Sequence, residues 1–105
     1  MKKPVLVVTS HFIEPVETRI NNEYEVRRKG DGRFFTREEL LTAADGADAI
    51  LSTPFDRLDA DFFRRVSPSV KVISTYSVGV DRIDMHAAAE RNIAIGYTKA
   101  YSRTE

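Results

Sequence analysis

The chain has 105 residues, the size of one small domain with room for a real core and none for a second full one. Its 16 basic and 16 acidic residues cancel, so it lacks the positive surplus of a nucleic-acid or anionic-membrane binder. It has no cysteine, which excludes disulfides and thiolate chemistry. No segment approaches the roughly 20 apolar residues of a membrane span. The opening MKKPVLVV has too brief an apolar run for a signal peptide. The expectation is a soluble cytoplasmic protein that binds neither membrane nor nucleic acid.

Apolar runs alternate with helical patterns. PVLVV, residues 4–8, is valine-rich and without alternation, as suits a strand buried on both faces. FIEPVETRIN follows as a helix, with Pro15 tolerated in its first turn. YEVRR, residues 24–28, alternates and reads as an edge strand. After the turn KGDGR, the stretch TREELLTAADG opens on Thr36 as a helix N-cap. Glu39 stands three residues on, as a capping box requires, and Gly46 suits the helix end. DAILS, residues 48–52, is the next buried strand. RLDADFFRRVSP is a helix capped by Asp59 and stopped by Pro68. VKVIST, residues 70–75, reads as a central strand, DRIDMHAAAERN as a helix, and IAIGYT, residues 93–98, as the last strand. Five strands alternating with helices imply an α/β, flavodoxin-like three-layer sandwich over residues 1–105. Its sheet is parallel with order 2-1-3-4-5, which puts the alternating strand at an edge.

In open parallel sheets, ligands bind beyond the carboxyl ends of the strands. Those ends read TSHF, STPFD, TYSVGVD and YTKAY. The third is the most informative. In ISTYSVGVDRID, residues 73–84, a buried strand passes one glycine and enters a helix. Gly79 permits a tight turn and close approach of another molecule. Successive N–H groups just ahead of a helix favour an anion, and a small carboxylate fits as well as a phosphate. Ser77 adds a hydroxyl, and Asp81 or Asp84 caps the helix. Val80, Ile83 and Ala87 lie at helical spacing and face the sheet. The plainer alternative is that Gly79 merely punctuates a β-to-α turn.

The run VKVISTYSVGVDRIDMHAAAERNIAIGYT resembles the D-isomer-specific 2-hydroxyacid dehydrogenases, particularly their glyoxylate/hydroxypyruvate reductase branch. ADAILS and VLVVT also match that family's layout. The likeness covers essentially the whole chain but only the first part of a typical member, within its substrate-binding domain. It implies NAD(P)-dependent hydride transfer to or from a small 2-oxo or 2-hydroxy acid. It implies that Val78 and Gly79 offer backbone N–H groups to the substrate carboxylate, with Ser77 beside them. Thr53 and Pro54 border the substrate in some members. In the family a separate Rossmann domain holds the nicotinamide. That domain also supplies the carboxylate-binding arginine, the acid–base histidine and the glutamate that orients it. None of these maps onto this chain, and no G-x-G-x-x-G is present. The expectation is therefore no catalytic residue, no metal and no cofactor within these residues. Where the family usually continues T-P-(G/D)-V-L-T, Lys99, Ala100, Tyr101 and Ser102 follow Thr98.

Other candidates read as structural. His86 is a surface residue of a helix and His11 a loop residue at a strand end, and they form no metal pattern. Glu38 with Glu39, and Asp59 with Asp61, stand at helix starts where the dipole attracts acids. Phe62, Val66 and Leu58 share a helical face, so FFRR packs rather than binds. Arg57 and Arg82 are surface arginines near the ligand edge. A phospho-receiver is disfavoured, because Thr9-Ser10-His11 and Ser52-Thr53 stand where its acids belong. A flavodoxin is disfavoured because TSHFIEP lacks a phosphate-loop glycine. Two readings stay open: a truncated oxidoreductase, inactive by itself, or a stand-alone domain that binds a small acid or a protein. Truncation would expose apolar sheet surface and favour a homo-oligomer.

Overall fold

The computed structural model describes residues 3–9, 14–28, 35–52, 57–76 and 83–98. Five strands and four helices alternate strictly: β1 (Val5–Val8), α1 (Glu14–Glu23), β2 (Glu25–Arg27), α2 (Arg37–Ala43), β3 (Ala49–Ser52), α3 (Ala60–Arg65), β4 (Val72–Tyr76), α4 (Met85–Glu90) and β5 (Ala94–Thr98). The sheet order is β2-β1-β3-β4-β5, and every pairing is parallel. This is the α/β sandwich order that the sequence implies, with the half-exposed β2 at an edge.

The strand pleat sorts the core into two layers. Val5, Val7, Ile50 and Ile73 join Leu40, Ala44, Phe62, Phe63, Ala87 and Ala88 from α2, α3 and α4 on one face. Leu6, Val8 and Leu51 meet Ile20 of α1 on the other. The second layer thins toward β4 and β5, where Val72 is 37% exposed and Ala94 is also exposed.

Helix starts follow the expected chemistry. Thr36 and Glu39 form the reciprocal capping box, and Asp59 accepts from the Phe62 N–H. Asp84 caps α4 by accepting from the Ala87 N–H. Helix ends rely on arginines from neighbouring elements. Arg27 of β2 donates to the carbonyls of Ala43, the last residue of α2, and of Asp45 just beyond it, at 2.8 and 2.7 Å. Arg91 donates to the Phe63 and Val66 carbonyls at the end of α3. These are the orphan carbonyls that every helix leaves. Gly46, at φ 77°, makes the left-handed turn toward β3.

Several boundaries shift inward from the sequence expectation. Asp48 precedes β3 and its carboxylate accepts from the Val5 N–H at 2.8 Å. Val70 lies in a turn before β4 yet is buried. Phe63 is as buried as Phe62, and their rings meet edge to face at 5.4 Å. The short helix α3 packs beside α2 and α4 on one face of the sheet, and both phenylalanines serve the core. Phe62→Ala should therefore lose about 3–5 kcal/mol of stability, read as a lower urea midpoint.

Candidate functional site

The five residues expected at the site, Thr53, Pro54, Ser77, Val78 and Gly79, lie outside the described residues. So do His11, Val80, Asp81 and Arg82. What the structure gives is the frame from which these segments depart. β3 and β4 are adjacent parallel strands, and their last register pair is Ser52 with Thr75. The chain next runs parallel at an isolated bridge between Leu58 and Ile83. There the Asp84 N–H donates to the Leu58 carbonyl at 2.8 Å. The segments 53–56 and 77–82 thus leave from paired residues and return to paired residues. Leu58 is fully buried, and Ile83 packs against the same core as Ile73. The four corners of the frame are strand ends and residues that pack in or against the core.

A row of hydroxyls lies under this frame. Val8 is opposite Leu51, so Thr9 comes next to Ser52, and Ser52 is opposite Thr75. All three are buried, at 2%, 1% and 2% exposure. By the pleat they share the face of Val7, Ile50 and Ile73. The Thr9 hydroxyl donates to the Leu51 carbonyl at 3.5 Å, and the Ser52 hydroxyl to the Ser74 carbonyl at 3.4 Å. Both bonds are long for a hydroxyl donor. The row escapes a one-dimensional reading because its members are far apart in sequence. The available signal was a hydroxyl residue at or next to the end of three adjacent interior strands.

Charge at this edge comes from the starts of α2 and α3. Arg37 forks onto Asp59 at 2.8 Å and Asp61 at 3.0 Å. Arg65 joins Asp61 to Glu38, and Arg64 also pairs with Asp61. The acids that sequence assigns to capping and solvation are thus also cross-helix partners. The Arg37 hydrogen bond is the main cause holding the Asp59 carboxyl below its ordinary range, with the Phe62 N–H adding to it. Arg65, then Arg37, holds Asp61 low. Arg57 is exposed. His86 is exposed on α4 and lies 3.3 Å from Glu90. Among the described residues no cluster of His, Cys, Asp or Glu suits a metal, and no helix is long and apolar enough to cross a membrane.

The head of α1 does not suit a dinucleotide. Its first turn carries Glu14 and Glu17, where a pyrophosphate requires bare amides and no acid.

A family profile described as D-isomer specific 2-hydroxyacid dehydrogenase, catalytic domain, matches residues 5–105. The chain belongs to this family. Over 96 residues it is 32% identical to the glycerate dehydrogenase of Hyphomicrobium methylovorum, a match that covers 91% of this chain and 30% of that protein. It is 30% identical to the glyoxylate reductase of Pyrococcus horikoshii, covering 91% of the chain and 28% of that protein. Among solved structures, the TT0316 protein of Thermus thermophilus superposes with a TM-score of 0.71 at 37% identity, over 87% of this chain and 29% of that one. The PH0520 protein of Pyrococcus horikoshii shares the fold, with a TM-score of 0.81 at 22% identity over 92% and 28%. The chain therefore spans under a third of the length of the relatives it matches.

The ion cluster carries a pH signature. A carboxyl held low in the fold stabilises it above the unfolded carboxyl value, about 4. That contribution disappears as pH falls through the lower folded value. Arg37→Gln should lower the melting temperature by a few degrees at pH 7, since exposed pairs contribute little. The deficit should shrink steadily below about pH 4, as thermal melts across pH will show.

Proposed function

We propose that this chain is the acid-holding part of an NAD(P)-dependent D-2-hydroxyacid dehydrogenase whose substrate is a small 2-oxo acid of the glyoxylate or hydroxypyruvate kind. The observation that carries this reading is the β3–β4 frame. The family motif SVGVD follows β4 directly in the sequence, and β4 is paired with β3 up to Ser52 and Thr75. Carboxyl ends of interior strands are where open α/β sheets bind ligands. Relatives named for glycerate and glyoxylate point to an acid of two or three carbons.

In this reading the Val78 and Gly79 amides hold the carboxylate, and Ser77 lies beside them. Thr53 and Pro54 border the acid from the neighbouring strand end. Fixed amide dipoles suit this task because they need no reorganisation when the anion arrives. Their role is orientation, which turns a bimolecular encounter into a positioned one. The chemistry of the class also needs a hydride donor and a proton donor. The nicotinamide cofactor and the proton-transferring residues belong to a further domain of the dehydrogenase, and the acidic head of α1 is consistent with that division. The chain by itself binds the acid without turning it over.

The test is a titration of the purified 105-residue chain with glyoxylate, followed by amide NMR, beside an NADH oxidation assay. Saturable shifts at Ser77, Val78 and Gly79 with no oxidation are expected. Robust turnover, or shifts confined to other residues, refutes the reading.

The thin side of the sheet at Val72 and Ala94 supports a second part of the proposal, self-association of the isolated chain through that face. Sedimentation should show concentration-dependent dimers that Val72→Lys abolishes. A strict monomer at high concentration would count against it.

A further inference from the structure

Thr75 differs from its two neighbours in the hydroxyl row. It is 2% exposed, yet its hydroxyl makes no hydrogen bond among the described residues. Thr9 and Ser52 each reach the carbonyl that precedes the next residue of the row. The same step from Thr75 would reach Gly96, since Thr75 is opposite Tyr97. That bond is not made. A buried hydroxyl without a partner is costly, and the cost is avoided by a valine of the same shape. The hydroxyl sits two residues before Ser77 and in register with Ser52, which immediately precedes Thr53. Its position is the inner end of the frame described above.

We infer that Thr75 is a positioning residue for the acid whose hydroxyl, together with that of Ser52, seats a buried water at the carboxyl ends of β3 and β4. A water held by only two or three polar partners is the usual way such groups are satisfied. Ser52 has capacity for it, because its own donated bond is long at 3.4 Å and its lone pairs remain. The water passes the fixed orientation of the two strand ends to the ligand. Thr9 closes the row on the β1 side. This inference rests on the acid-binding reading for its ligand arm and on the orphaned hydroxyl alone for its water arm.

The experiment compares the wild-type chain with Thr75→Val and Thr75→Ser. Water-to-protein NMR magnetisation transfer should show a long-lived water at the Thr75 methyl group, and no such transfer at the corresponding methyl of Thr75→Val. Glyoxylate affinity should fall about three- to tenfold in Thr75→Val, the loss of one modest hydrogen bond, and stay near wild type in Thr75→Ser. The melting temperature of Thr75→Val should equal or exceed that of wild type, which separates positioning from a fold-holding role. A wild-type methyl without a bound water overturns the inference, as does equal glyoxylate affinity in Thr75→Val. A wild-type chain that holds the water but binds no glyoxylate refutes the acid-binding reading and the ligand role of Thr75, leaving the water as structural only.

Discussion

The parallel pairing of β3 with β4 is the constraint on which the rest depends. Its register sets Ser52 beside Thr75, and the Leu58–Ile83 bridge then fixes where both chains come back. The two pairings stand on either side of residues 53–56 and 77–82 in the chain. The core enforces this geometry, because Leu58, Ile73 and Phe62 are all essentially inaccessible. A slip of one residue would turn Ile50 or Ile73 out of that core and bring in Leu51 or Ser74 instead.

The same edge carries groups that a purely stability-driven fold would avoid. Three interior strands carry a buried hydroxyl at or next to their carboxyl ends, where valines would pack at no polar cost. The opposite edge differs. There Ser67 and Ser69 bond to each other, and Ser69 also bonds to the Ala47 carbonyl. Ser67 in turn accepts from the Gly46 N–H. Polar groups at that edge serve to close turns. The two edges therefore differ in how their hydroxyls are bonded.

Much of this was legible in the sequence. Strand order followed from alternation of β and α patterns, because parallel crossovers leave few topologies. Thr36, Asp59 and Asp84 were readable as caps because their partners sit three residues away on the same chain. What escaped reading was nonlocal. Arg27 and Arg91 stop helices that belong to other elements, and no local pattern announces an arginine aimed at a distant carbonyl. The exposure of Arg64 and the burial of Phe63 on one short helix depend on α4 packing against it, which periodicity over six residues cannot resolve. The motif SVGVD carried the family without structure, yet its residues lie outside those described.

β1 is the first strand of the chain, yet it lies inside the sheet between β2 and β3. During synthesis from the N-terminus, residues 25–27 can pair with it early. Its other edge waits until residues 49–51 have emerged from the ribosome. Val7 and Val8, the most thoroughly enclosed positions of the strand, pass that interval with one flank bare, so the nascent chain is sticky before it is folded.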